Sequence, residues 1–323
     1  MSRIHEALKK AEHERTTAGN HSHVAAPAVA PAVEEVPERQ EGEERTERAP
    51  DILTAIAVES HQTSADESAI PKKDFLRFDD LRRRSPRPEW HPDPNANVFF
   101  NPELSEHGAE QFRTLRSRLY QFRTERPLRT LLVTSSIPGE GKTFVASNLA
   151  QSIVRQPDRR ALVIDADLRC PRLHSVLGAP SAPGLTDYLR GEADEFEIVQ
   201  RGIEENLCFI PGGTEVTNPS ELLSTGRMQM LIERFAPVFD WVIIDSPPCL
   251  PVADAILLAG VCDGVLLVVR AGSTPSETAQ KAYQELRDKN VVGIALNAVR
   301  RTHLYGSEYQ ATYGYGRHLN KPV

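Results

Sequence analysis

The chain has 323 residues, of which 40% are hydrophobic and 26% charged, and its formal net charge is −7. This length suits one large domain with extensions or two small domains, and the acidic balance argues against general nucleic-acid binding. Cys170, Cys208, Cys249 and Cys262 show no C-x-x-C spacing, which favours a reduced, cytoplasmic setting. No signal sequence is visible, and no apolar run approaches the roughly 18–20 residues that span a bilayer. We therefore expect a partner to recruit the protein to the inner face of the membrane if it works there.

Residues 1–15 are a candidate for a short amphipathic helix. Ile4, Ala7, Leu8 and Ala11 follow i, i+3, i+4, i+7 spacing, which is typical of one apolar helix face. A helix of this length is marginal in isolation. The segment is therefore either a frayed terminus or a recognition handle.

Residues 16–97 have the composition of a disordered, low-complexity linker. The stretch from Ala18 to Ile70 is acidic, contains four prolines and has no aromatic residue, so it cannot bury enough apolar surface to offset its chain entropy. From Pro71 to Trp90 the charge reverses. Because acids are interleaved with the arginines and lysines there, a solvated face is favoured over a patch that binds anionic lipids.

A folded domain is predicted over residues 98–302. Short, nearly continuous apolar runs alternate with helix-like segments, which indicates a parallel sheet covered on both faces. We predict a doubly wound, mostly parallel α/β fold of the P-loop type, whose ligands bind at the carboxyl ends of the strands. The predicted strands are Leu131–Val133, Ala161–Ile164, Leu207–Ile210, Trp241–Ile244, Val265–Val269 and Val291–Leu296. The predicted helices include Thr143–Arg155, Pro219–Phe235 and Pro275–Lys289.

The segment TLLVTSSIPGEGKTF, from Thr130 to Phe144, has the strand–loop–helix context of a phosphate-binding loop. Its glycines let backbone N–H groups close around phosphate oxygens, Lys142 reaches the β- and γ-phosphates, and the Thr143 hydroxyl is placed to ligate Mg²⁺. The first motif position is Ser136 instead of Gly. The predicted ATP-binding residues are Ser136, Pro138, Gly139, Glu140, Gly141, Lys142, Thr143, Phe144 and, further along the chain, Asn297.

Two predicted strands end in acids, at the edge of the sheet where a parallel fold places its site. Asp165 and Asp167 follow one strand, and Asp245 ends another. A Mg²⁺–triphosphate needs carboxylates beside the Thr143 hydroxyl, so Thr143, Asp167 and Asp245 are the predicted metal residues. An attacking hydroxyl needs a further carboxylate to accept its proton. Either Asp165 or Asp167 suits that role, and the sequence does not decide between them.

Two further patterns flank the predicted core. Before the loop, Glu110, Arg113 and Arg116 form a charged ridge beside an apolar helix face; taken alone, such a ridge is usually solvated. After the core, residues 303–323 form a tail rich in tyrosine, glycine and small polar residues, without the apolar spacing of a core element. The tail carries four of the chain's seven tyrosines: Tyr305, Tyr309, Tyr313 and Tyr315.

Roughly residues 103–316 resemble the bacterial tyrosine kinases (BY-kinases) that control capsule and exopolysaccharide export. SSIPGEGKT, VIDADLR and VIIDSPP are similar to the family's Walker A, A′ and B motifs, and GLTDYLRGE, LCFIPGG, NPSELLST and GVLLVVRAGST are also similar to family sequence. Partitioning and septum-site ATPases share the fold, but they carry a signature Lys where this chain has Ile137. Their dimer chemistry is therefore disfavoured.

The resemblance implies an ATP- and Mg²⁺-dependent protein-tyrosine autokinase with Lys142, Asp165, Asp167 and Asp245 as catalytic residues. It implies that the four tail tyrosines are phosphorylated in trans within a homo-oligomeric ring, in which the ridge of Glu110, Arg113 and Arg116 mediates contacts. It also implies a separate membrane-spanning regulator of polysaccharide chain length as the activating partner, and no nucleic acid.

Two alternatives stay open at this stage. The protein could instead be a non-catalytic, nucleotide-switched scaffold or assembly ATPase of the export machinery. Asn297 could contact the adenine edge, as similarly placed residues do in related ATPases, or it could cap a buried loop.

Overall fold

The computed structural model describes residues 75–299, except for the side chains of residues 102–107. The predicted N-terminal helix, residues 16–74 of the predicted linker and the tail with Tyr305, Tyr309, Tyr313 and Tyr315 lie outside the described residues. Seven strands are described: β1 Thr130–Ser135, β2 Ala161–Asp165, β3 Gln200–Arg201, β4 Leu207–Ile210, β5 Trp241–Asp245, β6 Gly264–Arg270 and β7 Val291–Asn297.

Helices connect these strands. They are α1 Phe78–Arg84, α2 Pro102–Glu125, α3 Lys142–Val154, α4 Leu173–Leu177, α5 Leu185–Arg190, α6 Glu195–Ile198, α7 Pro219–Leu223, α8 Gly226–Phe235, α9 Asp254–Ala259 and α10 Ser276–Glu285. Every predicted strand is present as a short apolar run; the first five of them are buried in the sheet, whereas the edge strand β7 is half-buried.

The seven strands form one sheet in the order β3-β4-β2-β5-β1-β6-β7. All neighbouring pairs are parallel except β3 and β4. Side chains alternate between two cores: Leu131 and Val133 of β1 pack with α2 and α3, whereas Leu132 packs with α8 and α9. The predicted doubly wound, mostly parallel α/β fold is therefore confirmed.

The single helix predicted over Pro219–Phe235 is two helices in the structure. It is interrupted because Ser224 and Thr225 donate their hydroxyls back to the carbonyls of Glu221 at 2.7 Å and Leu222 at 2.8 Å, and Thr225 is extended with ψ of 145°. Such local bonds compete with the helical ladder. The antiparallel strand β3 was not predicted, since two residues are too few to show an alternating pattern.

The structure differs from the linker prediction over residues 75–97. Helix α1 buries Phe78 and Leu81, and Trp90 is only 5% exposed. The Phe78 ring meets Phe239 edge-on at 5.7 Å between centroids, and the Trp90 ring meets Phe209 at 5.9 Å. The physical reason is that a few large apolar side chains suffice to anchor an otherwise charged segment on the core.

The basic residues of this segment have acidic neighbours. Arg82 and Arg87 approach Glu205 at 3.1 and 3.7 Å, and Arg83 approaches Asp80 at 2.6 Å. Exposed pairs of this kind contribute little to stability. They do offset positive charge, which agrees with the preference for a solvated face over a lipid-binding patch.

We predict that Leu81→Ala lowers the free energy of unfolding by about 2–5 kcal/mol, because it leaves a cavity at a fully buried position. The measurement is chemical denaturation of both proteins. Arg83→Ala, which removes an exposed ion pair, is the control and is expected to cost less than about 1 kcal/mol. Equal, small effects of the two changes would mean that α1 does not belong to the folded domain.

Candidate functional site

The phosphate-binding loop connects β1 to α3. Gly139 and Gly141 have φ angles of 85° and 93°, a region that L-residues rarely adopt. Gly141 precedes the first residue of α3, Lys142, so free backbone N–H groups and the positive end of a 13-residue helix face the loop. The local sequence thus builds the anion-binding turn that its pattern predicts.

Glu140 braces this loop from within. Its side chain is buried, and Oε2 accepts a hydrogen bond from the Ile137 N–H at 2.8 Å. Oε1 accepts from the Thr274 hydroxyl at 2.5 Å and from the Arg270 N–H at 3.3 Å. All three partners are donors, so a carboxylate satisfies them and an amide would not. Glu140 was predicted to bind ATP; in this structure its carboxylate ties the loop to the segment that follows β6.

Asn297, at the end of β7, adds a second tie. Its Nδ2 donates to the Glu140 carbonyl at 2.8 Å. A Cβ atom on Gly141 would lie 2.0 Å from the same Nδ2, so glycine is needed there for close approach as well as for its φ. Asn297 therefore makes a contact of the loop-capping kind, and its contact with the adenine edge stays a prediction.

The three predicted carboxylates converge on Lys142. Asp165 and Asp245 are paired in the register of β2 and β5, and Lys142 Nζ lies 2.7 Å from Asp167 Oδ2. Asp165 is fully buried and accepts from the Leu173 N–H at 2.9 Å and from the Asp167 N–H at 3.3 Å. Because both Asp165 oxygens are bonded to backbone, Asp167 is the acid that faces the cavity beside the loop.

Asp245 is the acid of the cluster whose charge is least compensated. Both of its oxygens are buried and neither makes a well-formed hydrogen bond within residues 75–299. Burial raises the pKa of Asp245 to about 7, with opposing contributions from Lys142 and the nearby Thr143 side chain. Burial and the Asp245 charge also hold the pKa of Asp165 well above its ordinary value. The cluster is therefore incompletely compensated and suited to take up positive charge.

The pKa of Lys142 is raised as well, but for a lysine this shift favours the charged form. Burial works to lower the pKa of its ammonium, but the charges of Asp245 and Asp167 outweigh burial, and the pKa is raised. The side chain therefore stays protonated and can compensate phosphate oxygens.

These residues fit a Mg²⁺ ion held together with a nucleotide. The residues described contain no group of three or more His, Cys, Asp or Glu side chains placed to hold a metal alone. Mg²⁺ usually keeps several waters and binds through one or two carboxylates plus substrate phosphates. The Thr143 hydroxyl and the unpartnered Asp245 carboxylate supply such a partial set of ligands, and Asp167 lies in the same cavity.

The phosphate cavity, as we call it, has a volume of about 670 Å³. It is lined by the predicted residues Pro138, Gly139, Gly141, Lys142, Thr143 and Asp167. Phe144 is placed differently: its ring packs 5.8 Å from the Phe112 ring, and Phe144 does not line the cavity. The Ser136 hydroxyl is buried without a partner among the described residues.

The predicted oligomerisation residues of α2 differ in their exposure and in their hydrogen-bond partners. Arg113 donates to Glu110 at 3.0 Å on the exposed face of the helix. Arg116 is half-buried and donates to the Ser152 carbonyl and, at 3.3 Å, to the Ser152 hydroxyl. Arg116 therefore fastens α2 to α3, whereas Glu110 and Arg113 remain exposed.

The sequence interpretation missed the residues that hold the site residues in place through hydrogen bonds. Arg270 and Thr274 hold Glu140, and Arg169 makes two hydrogen bonds to the buried Asp254, at 2.8 and 3.2 Å. Arg169 also donates to Ser220 at 2.9 Å. These positions lie in or beside the sequence blocks quoted above, but nothing in their local pattern shows which distant side chains they meet.

Comparisons with known proteins place this geometry in a family. No family model matches the chain. The tyrosine-protein kinase YwqD of Bacillus subtilis is 37% identical over 190 residues, which cover 59% of this chain and 80% of YwqD. This chain belongs to the bacterial tyrosine kinase (BY-kinase) family. CpsD of Streptococcus agalactiae, also named a tyrosine-protein kinase, is 35% identical over 64% of this chain and 85% of CpsD.

A solved BY-kinase structure is similar as well. The kinase domain of the Escherichia coli tyrosine kinase ETK aligns with a TM-score of 0.60 and 32% identity, over 68% of this chain and 86% of that one. Other relatives are much longer: the chain matches only 28% of the putative tyrosine-protein kinase EpsB of Ralstonia solanacearum. Within residues 75–299, no helix has both the length and the apolar character needed to cross a membrane.

We predict that Thr274→Val weakens nucleotide binding about tenfold, since a hydrogen bond to a charged group contributes about 1.5–3 kcal/mol and its loss loosens the loop. Thr274→Ser keeps the hydroxyl and is expected to bind within about twofold of the parent protein. The measurement is titration with a fluorescent ADP analogue. If the Val and Ser variants bind equally well, the brace does not shape the loop.

A second prediction concerns pH. The raised pKa of Asp245 means that the folded state holds this proton more tightly than the unfolded state, in which the pKa is about 3.9. The contribution of Asp245 to the free energy of unfolding is therefore complete below about pH 4 and is lost as the pH rises through about 7. The Asp245→Asn variant has no such titration. Its free energy of unfolding relative to that of the parent protein should therefore increase with pH, by up to about 4 kcal/mol.

Thermal or chemical unfolding at pH 5 and pH 8 measures this difference. Asp158→Asn is the matched control, because Asp158 is exposed and Asn tolerates its positive φ of 58°. A difference between Asp245→Asn and the parent that is the same at both pH values would contradict the assignment of a buried, protonatable Asp245.

Proposed function

We propose that this BY-kinase transfers the γ-phosphoryl group of ATP to tyrosine residues, in the first place to Tyr305, Tyr309, Tyr313 and Tyr315 of its own C-terminal segment. The observation that carries the proposal is the convergence of Lys142, Thr143 and Asp167 on one cavity beside an anion-binding loop, with the buried Asp245 carboxylate close to Lys142 and Thr143. Mg²⁺, held by Thr143, Asp245 and the phosphates, would supply charge compensation there.

Each residue then has a defined role. Backbone N–H groups around Gly139 and Gly141 bind the phosphates, and the Lys142 ammonium moves from Asp167 to the phosphate oxygens. This movement frees the Asp167 carboxylate. The tyrosine oxygen attacks the γ-phosphorus, the bond from that phosphorus to the β–γ bridging oxygen breaks, ADP leaves, and the phenolic proton passes to Asp167. Asp165 holds the loop after β2 in position through its backbone bonds.

Phosphorylation in trans requires neighbouring copies of the chain. We propose that Glu110 and Arg113, which are exposed and now pair with one another, exchange this pairing for contacts between subunits in a ring. Arg116 contributes by fixing α2 on the domain. We also propose that the protein works at the inner face of the membrane with a separate membrane-spanning regulator, in the polymerisation and export of a capsular or extracellular polysaccharide.

The test is mass spectrometry of the purified full-length chain after incubation with Mg²⁺ and ATP. We expect phosphate on the four C-terminal tyrosines, and we expect it to vanish in Lys142→Met, because the phosphates lose their cation. Lys281→Met, on the exposed face of α10, is the matched control that should retain full activity.

The alternative, a nucleotide-switched scaffold, makes a different prediction. It requires that the protein bind the fluorescent ADP analogue but place no phosphate on tyrosine, even with the cytoplasmic segment of a membrane regulator present. That combination of results would contradict the kinase function and support the scaffold function.

A further inference from the structure

A second cavity opens beside the phosphate cavity. It has a volume of about 550 Å³ and lies between the segment that follows β2 and the loop that follows β4. We call it the side cleft. Arg169, Cys170 and Arg172 line both cavities and form a shared rim. The phosphate loop has a third cavity, of about 380 Å³, on its other flank, beside β6.

The side cleft is connected to the acid that would accept the phenolic proton. Asp167 Oδ1 accepts a hydrogen bond from the Cys170 N–H at 3.2 Å, and its Oδ2 contacts Lys142. In phosphoryl transfer, the attacking and leaving oxygens lie roughly in line on opposite sides of the phosphorus. The phosphate loop holds the leaving group, so the attacking hydroxyl has to arrive on the Asp167 side, across this rim.

The rim has one fixed and one available cation. The Arg169 guanidinium donates hydrogen bonds to Asp254 and Ser220. These bonds fix its position, so it is not free to bind an incoming ligand. Arg172 is exposed, and among residues 75–299 its hydrogen bond goes to the Cys170 thiol at 3.3 Å, a weak acceptor. A guanidinium in this setting can pair with a carboxylate of an incoming ligand.

The lining of the side cleft suits a peptide. It combines the backbone of Gly212 and Gly213, hydroxyl groups that include Thr217, and apolar side chains such as Val216. Gly212 is packed tightly, since a Cβ there would lie 2.7 Å from Pro171. Extended peptides bind through their backbone groups and alternate side chains, which such a mixed lining can serve.

The sequence of the candidate substrate complements the rim. Glu308 is the only acidic residue from residue 300 to the C-terminus, and it directly precedes Tyr309. We propose that the side cleft binds the acceptor segment of a second copy of this chain, with Arg172 pairing with Glu308 so that Tyr309 is presented to Asp167. This assignment rests on the proposed kinase function and adds to it a docking site and a preferred acceptor.

The test uses two full-length proteins. The kinase carries Tyr→Phe at the four C-terminal tyrosines, and the acceptor carries Lys142→Met, so that phosphate passes only from one to the other. We expect Arg172→Glu in the kinase to lower phosphorylation of Tyr309 about tenfold and that of the other tyrosines less. Glu308→Arg in the acceptor should restore Tyr309 phosphorylation by this variant, which loss of folding could not do.

A second change blocks the side cleft without altering its charge. Thr217→Trp in the kinase should reduce phosphorylation of all four tyrosines, while affinity for the fluorescent ADP analogue stays within about twofold of the parent. Gln229→Trp, on the exposed face of α8, is the matched control and should leave both properties unchanged.

The outcomes separate the two levels of the proposal. If the unmodified kinase phosphorylates its acceptor but Thr217→Trp has no effect and charge reversal gives no rescue, the docking site is overturned and the kinase stands. If rescue fails and nucleotide affinity falls in Arg172→Glu, the arginine serves ATP instead of the acceptor, which also overturns its proposed pairing. If the unmodified pair shows no transfer, the kinase function fails, and the docking site fails with it.

Discussion

The convergence of three acids on one lysine is the constraint on which the rest of this structure depends. The register of β2 and β5 sets Asp165 beside Asp245, and the turn into α3 brings Lys142 to Asp167. One ammonium cannot balance three buried carboxylates, so desolvation raises the pKa of Asp245 and Asp165. A site of this kind gains stability when it takes up further positive charge, which is the property that a Mg²⁺–nucleotide site requires.

The phosphate loop is fixed by elements that come much later in the chain. Glu140 is tied to the segment after β6, and its carbonyl is tied to Asn297 at the end of β7. The carboxylates, in contrast, come from β2 and β5 on the other side of β1. The distance between loop and acids therefore depends on the packing of the whole sheet.

Two arginines of similar local sequence have different physical roles, and their surroundings explain why. Arg169 is held by a buried carboxylate and a hydroxyl, whereas Arg172, three residues later, projects from the rim between two cavities. A similar division occurs on α2, where Arg116 binds α3 and Arg113 stays on the surface. In each pair, the arginine with buried partners stabilises the domain and the exposed one is available for a second molecule.

The sequence by itself determined the order and type of the main elements, because buried parallel strands and phosphate-binding turns have strong local patterns in Val, Ile, Leu and Gly. It also showed which acids lie at or just after the ends of strands, and so it predicted that Asp165, Asp167 and Asp245 lie at the same edge of the sheet. Only the tertiary structure decided which of these acids faces the cavity, that Glu140 braces the loop, and that α1 packs on the domain. The physical reason is that those roles depend on contacts between residues far apart in the chain, such as Glu140 with Thr274 and Phe78 with Phe239, which no local pattern encodes.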